Sequence, residues 1–304
     1  MSQAATTGHH RGGCGAATSY LAVGHVTVDV MADGERRPGG TALYSALQAA
    51  RLGLEATIHT RGVERELRKL LSPYADELRL VVEPAAETTT FHTEGFGEER
   101  RQRLLAWAGP IAAERLPGAG ILHLAPVAAE LLAFPSGQWG FVGLTPQGLA
   151  RGWSGPGAEV VPRAPAAEAL ELFVQSDALV LSRSERPATA EGVELARGHG
   201  ALVAVTAGPA RTLLLEPGGG ETEVSPAAVP GAVDDLGAGD VFAATLFVEL
   251  AGGATPRQAA IMAGAAAAVR LAGTGPGAIG RRAEIEAQAT SAESSSSPSS
   301  PGAS

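Results

Sequence analysis

Short apolar runs alternate with stretches of helical spacing along most of the chain. The runs have the length and continuous hydrophobicity of buried strands, and they lie at residues 20–30, 56–60, 121–125, 141–144, 178–181 and 202–206. Helical spacing predicts helices at residues 40–52, 64–71, 128–133, 166–174, 190–197 and 241–250. This order predicts an α/β fold whose doubly wound, mainly parallel sheet carries helices on both faces.

Residues 88–107 interrupt the alternation. Segments 88–93 and 101–107 are rich in strand-forming residues and are joined by a turn at 95–97. The first segment is mixed in polarity, unlike the buried runs. The pattern predicts a small β-flap beside the main sheet, or alternatively an edge hairpin of that sheet.

Both ends of the chain differ in composition from the rest. Residues 1–18 are small and polar, and residues 287–304 are rich in Ser and Pro without an apolar period. We therefore expect a disordered leader and tail around one domain at 19–286. The leader lacks the apolar segment of a signal peptide, and no run reaches the roughly 18–20 apolar residues of a membrane helix. A cytoplasmic protein is the resulting expectation.

Composition narrows the possible partners. The formal net charge of −9 disfavours binding to nucleic acid or to anionic membranes. Cys14 is the only cysteine, which excludes an intrachain disulfide and a cysteine-built metal cage. The seven histidines lack zinc-ligand spacing. His25 and His123 fall in strand contexts, where we expect buried residues rather than catalysts.

The most informative segment is residues 234–240, which read Asp-Asp-Leu-Gly-Ala-Gly-Asp before an apolar stretch of helical length. Gly237, Ala238 and Gly239 would form the first turn, whose free N–H groups and helix dipole favour an anion. Asp240 would lie beside that anion, where a carboxylate can accept a proton from an attacking hydroxyl. By spacing alone, a tight turn with an aspartate that only favours the helix dipole remains an alternative.

This run resembles the D-T-x-G-A-G-D signature of the PfkB (ribokinase-like) family of sugar and nucleoside kinases. Three further segments, in the family's order, are similar to its other motifs. They are Gly24-His25-Val26-Thr27-Val28-Asp29, Pro38-Gly39-Gly40-Thr41-Ala42 and Val205-Thr206-Ala207-Gly208. The resemblance spans residues 20–285.

The resemblance implies a ribokinase-like fold with a small β-lid and transfer of the ATP γ-phosphoryl group to a hydroxyl. It also implies Mg2+ and often a monovalent cation as cofactors. Asp240 would be the base, and the amides of Gly237, Ala238 and Gly239 the anion hole. Asp29, Gly39 and Gly40 would line the acceptor pocket. Thr206, Gly208 and Asp234 would lie on the nucleotide side.

Several positions depart from the family pattern. Asp235 replaces a threonine, which adds negative charge near the phosphates. The family's N-x-x-E element, which helps to hold Mg2+ through water, appears with Ser182 in place of Asn and with Glu185 retained. A solvated surface role for Glu185 stays open. The segment between Asp29 and Gly39 is short, so we expect a lid reduced to the 88–107 hairpin and a monomer or weak dimer.

The sequence defines the molecule that accepts the phosphoryl group less well than it defines the reaction. Gln147 and Arg151 follow the strand at 141–144 and are expected to face the cleft, although Arg151 could instead cap a surface loop. This stretch and the threonines at 88–90 are loosely similar to the myo-inositol kinase branch of the family. His92 and Arg103 on the flap are further pocket candidates. A sugar or polyol fits best, and a nucleoside stays open.

Two other signals carry less weight. Residues 275–280 match G-x-G-x-x-G but follow a helix and contain a proline, so dinucleotide binding is not expected. In the ribokinase-like interpretation this loop borders the nucleotide and cation region. No G-x-x-x-x-G-K-[ST] motif occurs. The prediction is a small-molecule kinase, with a ligand-binding or regulatory protein that has lost turnover as the alternative.

Overall fold

The computed structural model describes residues 18–112, 115–208, 210–225, 227, 229 and 231–296. Within them the helices are α1 (Thr41–Arg51), α2 (Glu64–Leu70), α3 (Leu170–Val174), α4 (Ala190–Gly198), α5 (Ala238–Ala251), α6 (Pro256–Leu271) and α7 (Arg282–Ser296). The strands are β1 (Ser19–Val23), β2 (Thr27–Met31), β3 (Arg36–Gly39), β4 (Glu55–Gly62), β5 (Leu78–Pro84), β6 (Thr90–Glu94), β7 (Arg101–Ala106), β8 (Ala119–Leu124), β9 (Trp139–Leu144), β10 (Arg151–Gly152), β11 (Val161–Pro162), β12 (Ala178–Ser182), β13 (Leu202–Thr206), β14 (Thr212–Leu215) and β15 (Glu221–Val224). None of these helices is long and apolar enough to cross a bilayer.

The main sheet has the order β15-β14-β13-β12-β9-β8-β1-β4-β5 among the described strands. From β13 to β5 all neighbours pair in parallel, and β14 and β15 extend one edge in antiparallel fashion. The carboxyl ends of the parallel strands therefore lie along one edge of the sheet. The predicted doubly wound α/β fold is confirmed.

Helices cover both faces of this sheet because successive strand residues point in opposite directions. Tyr20 and Ala22 of β1 pack in a core cluster with α1, α5 and α6. Leu21 and Val23 pack in a second cluster with α3 and α4 on the opposite face. Continuous apolar strands are the sequence signature of a sheet buried on both sides.

A separate four-stranded sheet, which we call the lid, has the order β3-β2-β6-β7. The predicted hairpin is present as β6 and β7, but the expectation of a lid reduced to that hairpin is wrong. The run at 20–30 divides at Gly24, where a Cβ would meet the Ala125 carbonyl oxygen at 2.0 Å. The chain leaves the main sheet there, and β2 and β3 join the lid.

The helix predicted at 128–133 does not form. Ala129 has φ 54°, outside the right-handed helical region. The fully buried Glu130 accepts hydrogen bonds from the backbone N–H groups of His25 (2.8 Å), Val127 (2.9 Å) and Ala128 (2.7 Å). The segment wraps around this carboxylate because three buried amides need an acceptor.

The C-terminal segment also differs from expectation. Residues 287–296 continue helix α7, although a disordered tail is predicted from residue 287. Ile285 and Ala289, four residues apart, are buried and attach the helix to the core. Residues 297–304 lie outside the described residues, as do residues 1–17 of the predicted leader, including Cys14.

Candidate active site

Several chemically active residues meet at the edge of the main sheet where its parallel strands end. Helix α5 begins at this edge and packs against β8, β9 and β12. Open α/β sheets bind their ligands at the carboxyl ends of the strands. The N-terminus of α5 is therefore the natural centre of a site.

The turn before α5 depends on glycine. Gly237 is the N-cap and has φ 76° in the left-handed region. A Cβ at Gly237 would lie 2.2 Å from the Tyr44 ring. A Cβ at Gly239 would meet nothing within 4 Å, so its backbone is open to a ligand. The turn thus presents the free amides of Gly237 and Gly239 at the positive end of the α5 dipole, whereas the Ala238 amide donates to the Asp235 carbonyl oxygen at 3.3 Å.

Asp240 lies in the first turn of α5 and is half-buried. Its Oδ1 accepts a hydrogen bond from Gln147 Nε2 at 3.2 Å, and Ser45 donates to its backbone oxygen at 3.3 Å. Burial raises the pKa of the Asp240 carboxyl to about 6, although a Thr41 hydrogen bond and the Arg151 charge act to lower it. A carboxylate with this pKa is a stronger base than an exposed aspartate and is still ionised at neutral pH.

Gln147 and Arg151 form a polar chain beside Asp240. The Gln147 amide donates to the Thr41 hydroxyl as well as to Asp240, and its Oε1 accepts from Arg151 at 3.1 Å. Arg151 also donates to the Val127 carbonyl at 3.2 Å. The structure therefore brings both residues to Asp240, and Arg151 does not lie at the surface capping a loop.

Asp29 lies at the lid side of the site. It is buried, and Thr27 Oγ1 donates to its Oδ1 at 3.1 Å. Burial raises the pKa of Asp29 to about 6, against the Thr27 hydrogen bond and the positive charges of Arg100 and Arg151. Asp29 therefore shares with Asp240 a buried setting in which arginines favour the ionised form.

Gly39 and Gly40, which precede α1, allow the chain to pass close to Asp29 and His25. A Cβ at Gly39 would lie 2.1 Å from Asp29 Oδ2. Gly40 is the α1 N-cap with φ 94°, and its Cβ would lie 2.3 Å from the His25 carbonyl oxygen. Larger residues at either position would displace the Asp29 carboxylate or the start of α1.

Asp234 and Asp235 have different surroundings. Asp234 Oδ2 accepts from Arg270 and from the Gly275 amide, both at 2.9 Å. Burial acts to raise the Asp234 pKa, but hydrogen bonds from Gly275, Leu236 and Arg270 hold it below its usual range. Asp234, expected on the nucleotide side, thus makes its hydrogen bonds within the protein. Asp235 instead points to the lid.

The Asp235 carboxylate joins the glycine-rich loop to the lid. It pairs with Arg100 and accepts from the Gly97 amide at 2.8 Å. The sequence does not single out Arg100, whose only signal is a basic residue directly before the second predicted strand of the hairpin. Thr41 was also missed as a partner of Asp240, although it lies within the Pro38–Ala42 motif.

Thr206, Gly208 and Glu185 follow neighbouring strands at the same edge. Thr206 ends β13 and donates to the Leu181 carbonyl at 3.3 Å, and Gly208 has φ 56° with open space around it. Glu185 Oε2 accepts from the backbone N–H of Ser182 at 2.8 Å. The Glu185 charge also acts to raise the pKa of Asp240, so Glu185 lies within electrostatic reach of the site.

A protein cage for a metal ion is absent from the described residues, where no group of three or more His, Cys, Asp or Glu side chains converges. Magnesium commonly takes one or two carboxylates and completes its shell with water and substrate phosphates. Glu185 has one oxygen bonded to Ser182, which leaves the other free. One available carboxylate close to the site fits magnesium held mainly by phosphates.

A cavity of about 210 Å3 lies between the lid and the glycine-rich loop. Its lining comprises Met31, Arg37, Thr93, Gly95, Phe96, Val233, Asp234, Asp235, Leu236 and Thr274. His92 and Arg103 do not line it, because they pair across β6 and β7 on the opposite face of the lid from Thr93. They line a separate cavity of about 60 Å3, and their role in the acceptor pocket stays a prediction.

Comparison with known proteins agrees with this geometry. Residues 166–280 match the model of the pfkB family carbohydrate kinases. No curated protein matches the chain. A pyrophosphate-dependent kinase in the ribokinase family, solved with a pyrophosphate analog and myo-inositol, superposes with a TM-score of 0.71 at 19% identity, covering 88% of this chain and 99% of its own.

Two further solved structures are similar. Fructokinase from Vibrio cholerae has a TM-score of 0.66 at 22% identity, covering 89% of this chain and 98% of its own. Ribokinase from Thermotoga maritima has a TM-score of 0.63 at 19% identity, covering 90% and 99%. The chain has the ribokinase-like fold, and the PfkB resemblance indicated by its motifs is confirmed by the family match over residues 166–280.

Proposed function

We propose that this protein is a small-molecule kinase that transfers the γ-phosphoryl group of ATP to a hydroxyl of a sugar or polyol. One observation carries the proposal: Asp240 is a half-buried carboxylate with a pKa of about 6 in the first turn of α5. A base at that place adjoins both an anion site and the acceptor side of the cleft.

Asp240 accepts the proton of the acceptor hydroxyl as that oxygen attacks the γ-phosphorus of ATP, and the bond from this phosphorus to the ADP oxygen breaks. Gln147 and Thr41 bind the carboxylate and hold it in place, and both can exchange their bonds for contacts with an incoming hydroxyl. Positioning of this kind supplies much of the rate enhancement in phosphoryl transfer, because the protein takes little part in the covalent chemistry.

The amides of Gly237, Ala238 and Gly239 stabilise the negative charge on the transferring group. The left-handed conformation of Gly237 turns the chain into α5, and the open space at Gly239 lets a phosphoryl oxygen approach the backbone. Preorganised amides at a helix N-terminus are effective because they need no reorganisation during the reaction.

On the donor side, Thr206 and Gly208 would contact the nucleotide, Asp234 holds the loop, and Glu185 would help to hold Mg2+. Bound Mg2+ would neutralise phosphate charge. The matched kinase that depends on pyrophosphate supports testing pyrophosphate as a second donor.

On the acceptor side, Asp29 and Arg151 offer an acceptor and a donor for hydroxyl groups, with Gly39 and Gly40 letting the chain pack closely against Asp29 and the start of α1. This chemistry suits sugars and polyols, and the neighbours solved with myo-inositol and with fructose support that class. A nucleoside is the second candidate acceptor, supported by a matched nucleoside kinase from Methanocaldococcus jannaschii.

The test is a panel of polyols, sugars and nucleosides incubated with Mg-ATP or Mg-pyrophosphate, with the phosphorylated acceptor measured directly. Replacing Asp240→Asn is expected to lower kcat by about 10^2–10^4-fold because the proton acceptor is lost. The exposed Asp76→Asn serves as the matched control and should keep full activity. Undiminished kcat in Asp240→Asn would exclude this residue as the base.

A ligand-binding protein without turnover is the competing function. The Arg100–Asp235 pair favours it, because the pair ties the lid to the glycine-rich loop through protein groups alone. Ligand-induced melting shifts without product from any donor would support that function. Product formation with any acceptor would exclude it.

A further inference from the structure

Arg270 of α6 is fully buried, and its guanidinium is held by oxygen atoms of the loops around the site. Nη1 donates to the carbonyl oxygens of Asp234 at 3.2 Å and Gly273 at 2.8 Å. Nη2 donates to Asp234 Oδ2 at 2.9 Å and to the Leu236 carbonyl oxygen at 2.6 Å. Four oxygens from two loops thus converge on one positive charge.

This oxygen set has the chemistry of an alkali-cation site. Backbone carbonyls that replace a hydration shell are the ligands by which proteins bind K+. One carboxylate and three carbonyls would attract such an ion strongly in a buried setting. Here the guanidinium satisfies the same oxygens and cannot be deprotonated in a protein.

The guanidinium is also connected to the anion hole. It lies over the Tyr44 ring, 5.4 Å from the ring centroid. The same ring lies against Gly237, whose missing Cβ leaves room for it. Leu236, which accepts from Arg270, immediately precedes Gly237. Arg270 therefore fixes the turn whose amides face the transferring group, both through the backbone and through Tyr44.

We propose that Arg270 is a built-in monovalent cation of this site, which holds the loops at Asp234–Leu236 and Gly273 in place without a dissolved K+ or Na+ ion. Arg270 is a positioning residue, because it acts through the turn and contacts no substrate. The activity measurements below rest on the proposed kinase function, whereas the melting measurements do not.

The first test uses the unaltered protein in KCl, NaCl or tetramethylammonium chloride at equal ionic strength. Because the cation is covalently attached, kcat/KM should agree within about twofold among the three salts. The Tm values should agree within about 2 °C, which is the smallest Tm change expected from 1 kcal/mol. A tenfold or greater activation by K+ over tetramethylammonium would overturn the proposal.

The second test removes the guanidinium. Arg270→Gln leaves the Asp234 carboxylate and the carbonyls without their cation, so Tm and kcat should fall. K+ or millimolar guanidinium, but not tetramethylammonium, should then raise the variant's Tm saturably and restore part of kcat. KM for the acceptor should change less than kcat, because the displaced turn faces the transferring group.

Arg51→Gln is the matched control. Arg51 also combines a carboxylate, Glu77, with backbone carbonyls, donating to Gly277 O at 3.1 Å. It does not touch residues 234–236, so its loss should lower Tm without cation rescue. Equal ion responses in both variants would overturn the proposal.

Two further outcomes have defined meanings. If Arg270→Gln does not fold, Arg270→Lys keeps a charge there and should melt at the same temperature in all three salts. A K+-dependent Tm in Arg270→Lys would then overturn the proposal. If no acceptor is phosphorylated, the proposed function fails, but the salt dependence of Tm still decides the role of Arg270.

Discussion

Arg100 of the lid pairs with Asp235 of the glycine-rich loop, and the Gly97 amide donates to the same carboxylate. The two strands of the β6–β7 hairpin are therefore connected at their turn to the residues that precede the anion hole. The pair is mostly shielded, with side-chain exposures of 23% and 18%. It also neutralises the extra negative charge that Asp235 brings near the phosphates.

Removing Arg100 should weaken donor binding. Arg100→Ala leaves the Asp235 charge unpaired beside the phosphate site, and we expect KM for the donor to rise about 3–10-fold, equivalent to about 1 kcal/mol. Adding Asp235→Asn should restore most of the loss. Steady-state kinetics of the two single variants and the double variant measure this coupling. Strictly additive effects would argue against the charge explanation. The exposed Arg211→Ala, paired with Glu223, is the control.

The pH dependence of the reaction should report the two raised carboxyl pKa values. Asp240 must be ionised to accept a proton, so kcat/KM should be constant above about pH 7 and fall below about pH 6. Asp29 titrates in the same range, and a second protonation would steepen the fall. In Asp29→Asn the fall should reduce to about tenfold per pH unit. A pH-rate profile that stays flat down to pH 4.5 would contradict this assignment.

The same carboxyl should make the protein less stable at neutral pH. The pKa of Asp240 is higher in the folded state than the ordinary aspartate value of 3.8, so its contribution is most favourable below about pH 4 and is lost as pH rises through about 6. Asp240→Asn should therefore raise Tm by about 2–4 °C at pH 7.5. At pH 4 the variant and the unaltered protein should melt together. Thermal melts at the two pH values, with Asp76→Asn as control, check the sign.

Gly237 should not tolerate a side chain. Gly237→Ala places a Cβ against the Tyr44 ring and puts a non-glycine residue in the left-handed region, which alone costs about 1–2 kcal/mol. We expect loss of that stability, further loss from the clash, and a fall in kcat as the anion hole is displaced. Gly219→Ala is the matched control, because φ is 98° there but nothing lies within 4 Å. Denaturant unfolding of both variants separates the clash from the backbone cost.

Much of the fold was predictable because the main sheet is buried on both faces. Its central strands are continuous apolar runs, and helices such as α1 and α5 follow them with clear spacing. The start of α5 was also accessible, since Gly237 and Asp240 lie in a short segment governed by local rules. Motifs of this kind need no knowledge of the tertiary structure.

The features that the sequence did not predict depend on tertiary contacts. The division of the first run at Gly24 depends on the distant Ala125 carbonyl, which no local pattern reveals. The helix predicted at 128–133 is missing because the Glu130 carboxylate binds backbone amides. One of them belongs to His25, which lies more than a hundred residues away in the sequence. Arg270 and Arg100 were inconspicuous because arginine is the common basic residue of this chain, and only burial distinguishes them.

The passage from β1 into β2 has a consequence for how the lid can move. Between the two sheets, the His25 amide donates to Glu130, the Val26 amide donates to Thr60, and His25 Nδ1 bonds Thr89. Amide hydrogens of this crossing should exchange with solvent as slowly as those of β1, whereas the Gly97 amide should exchange with each opening of the hairpin. The lid is therefore fixed where it joins the main sheet, and its displacements should grow with distance from that junction. They should be largest at the β6–β7 turn, where the contacts with Asp235 restrain it.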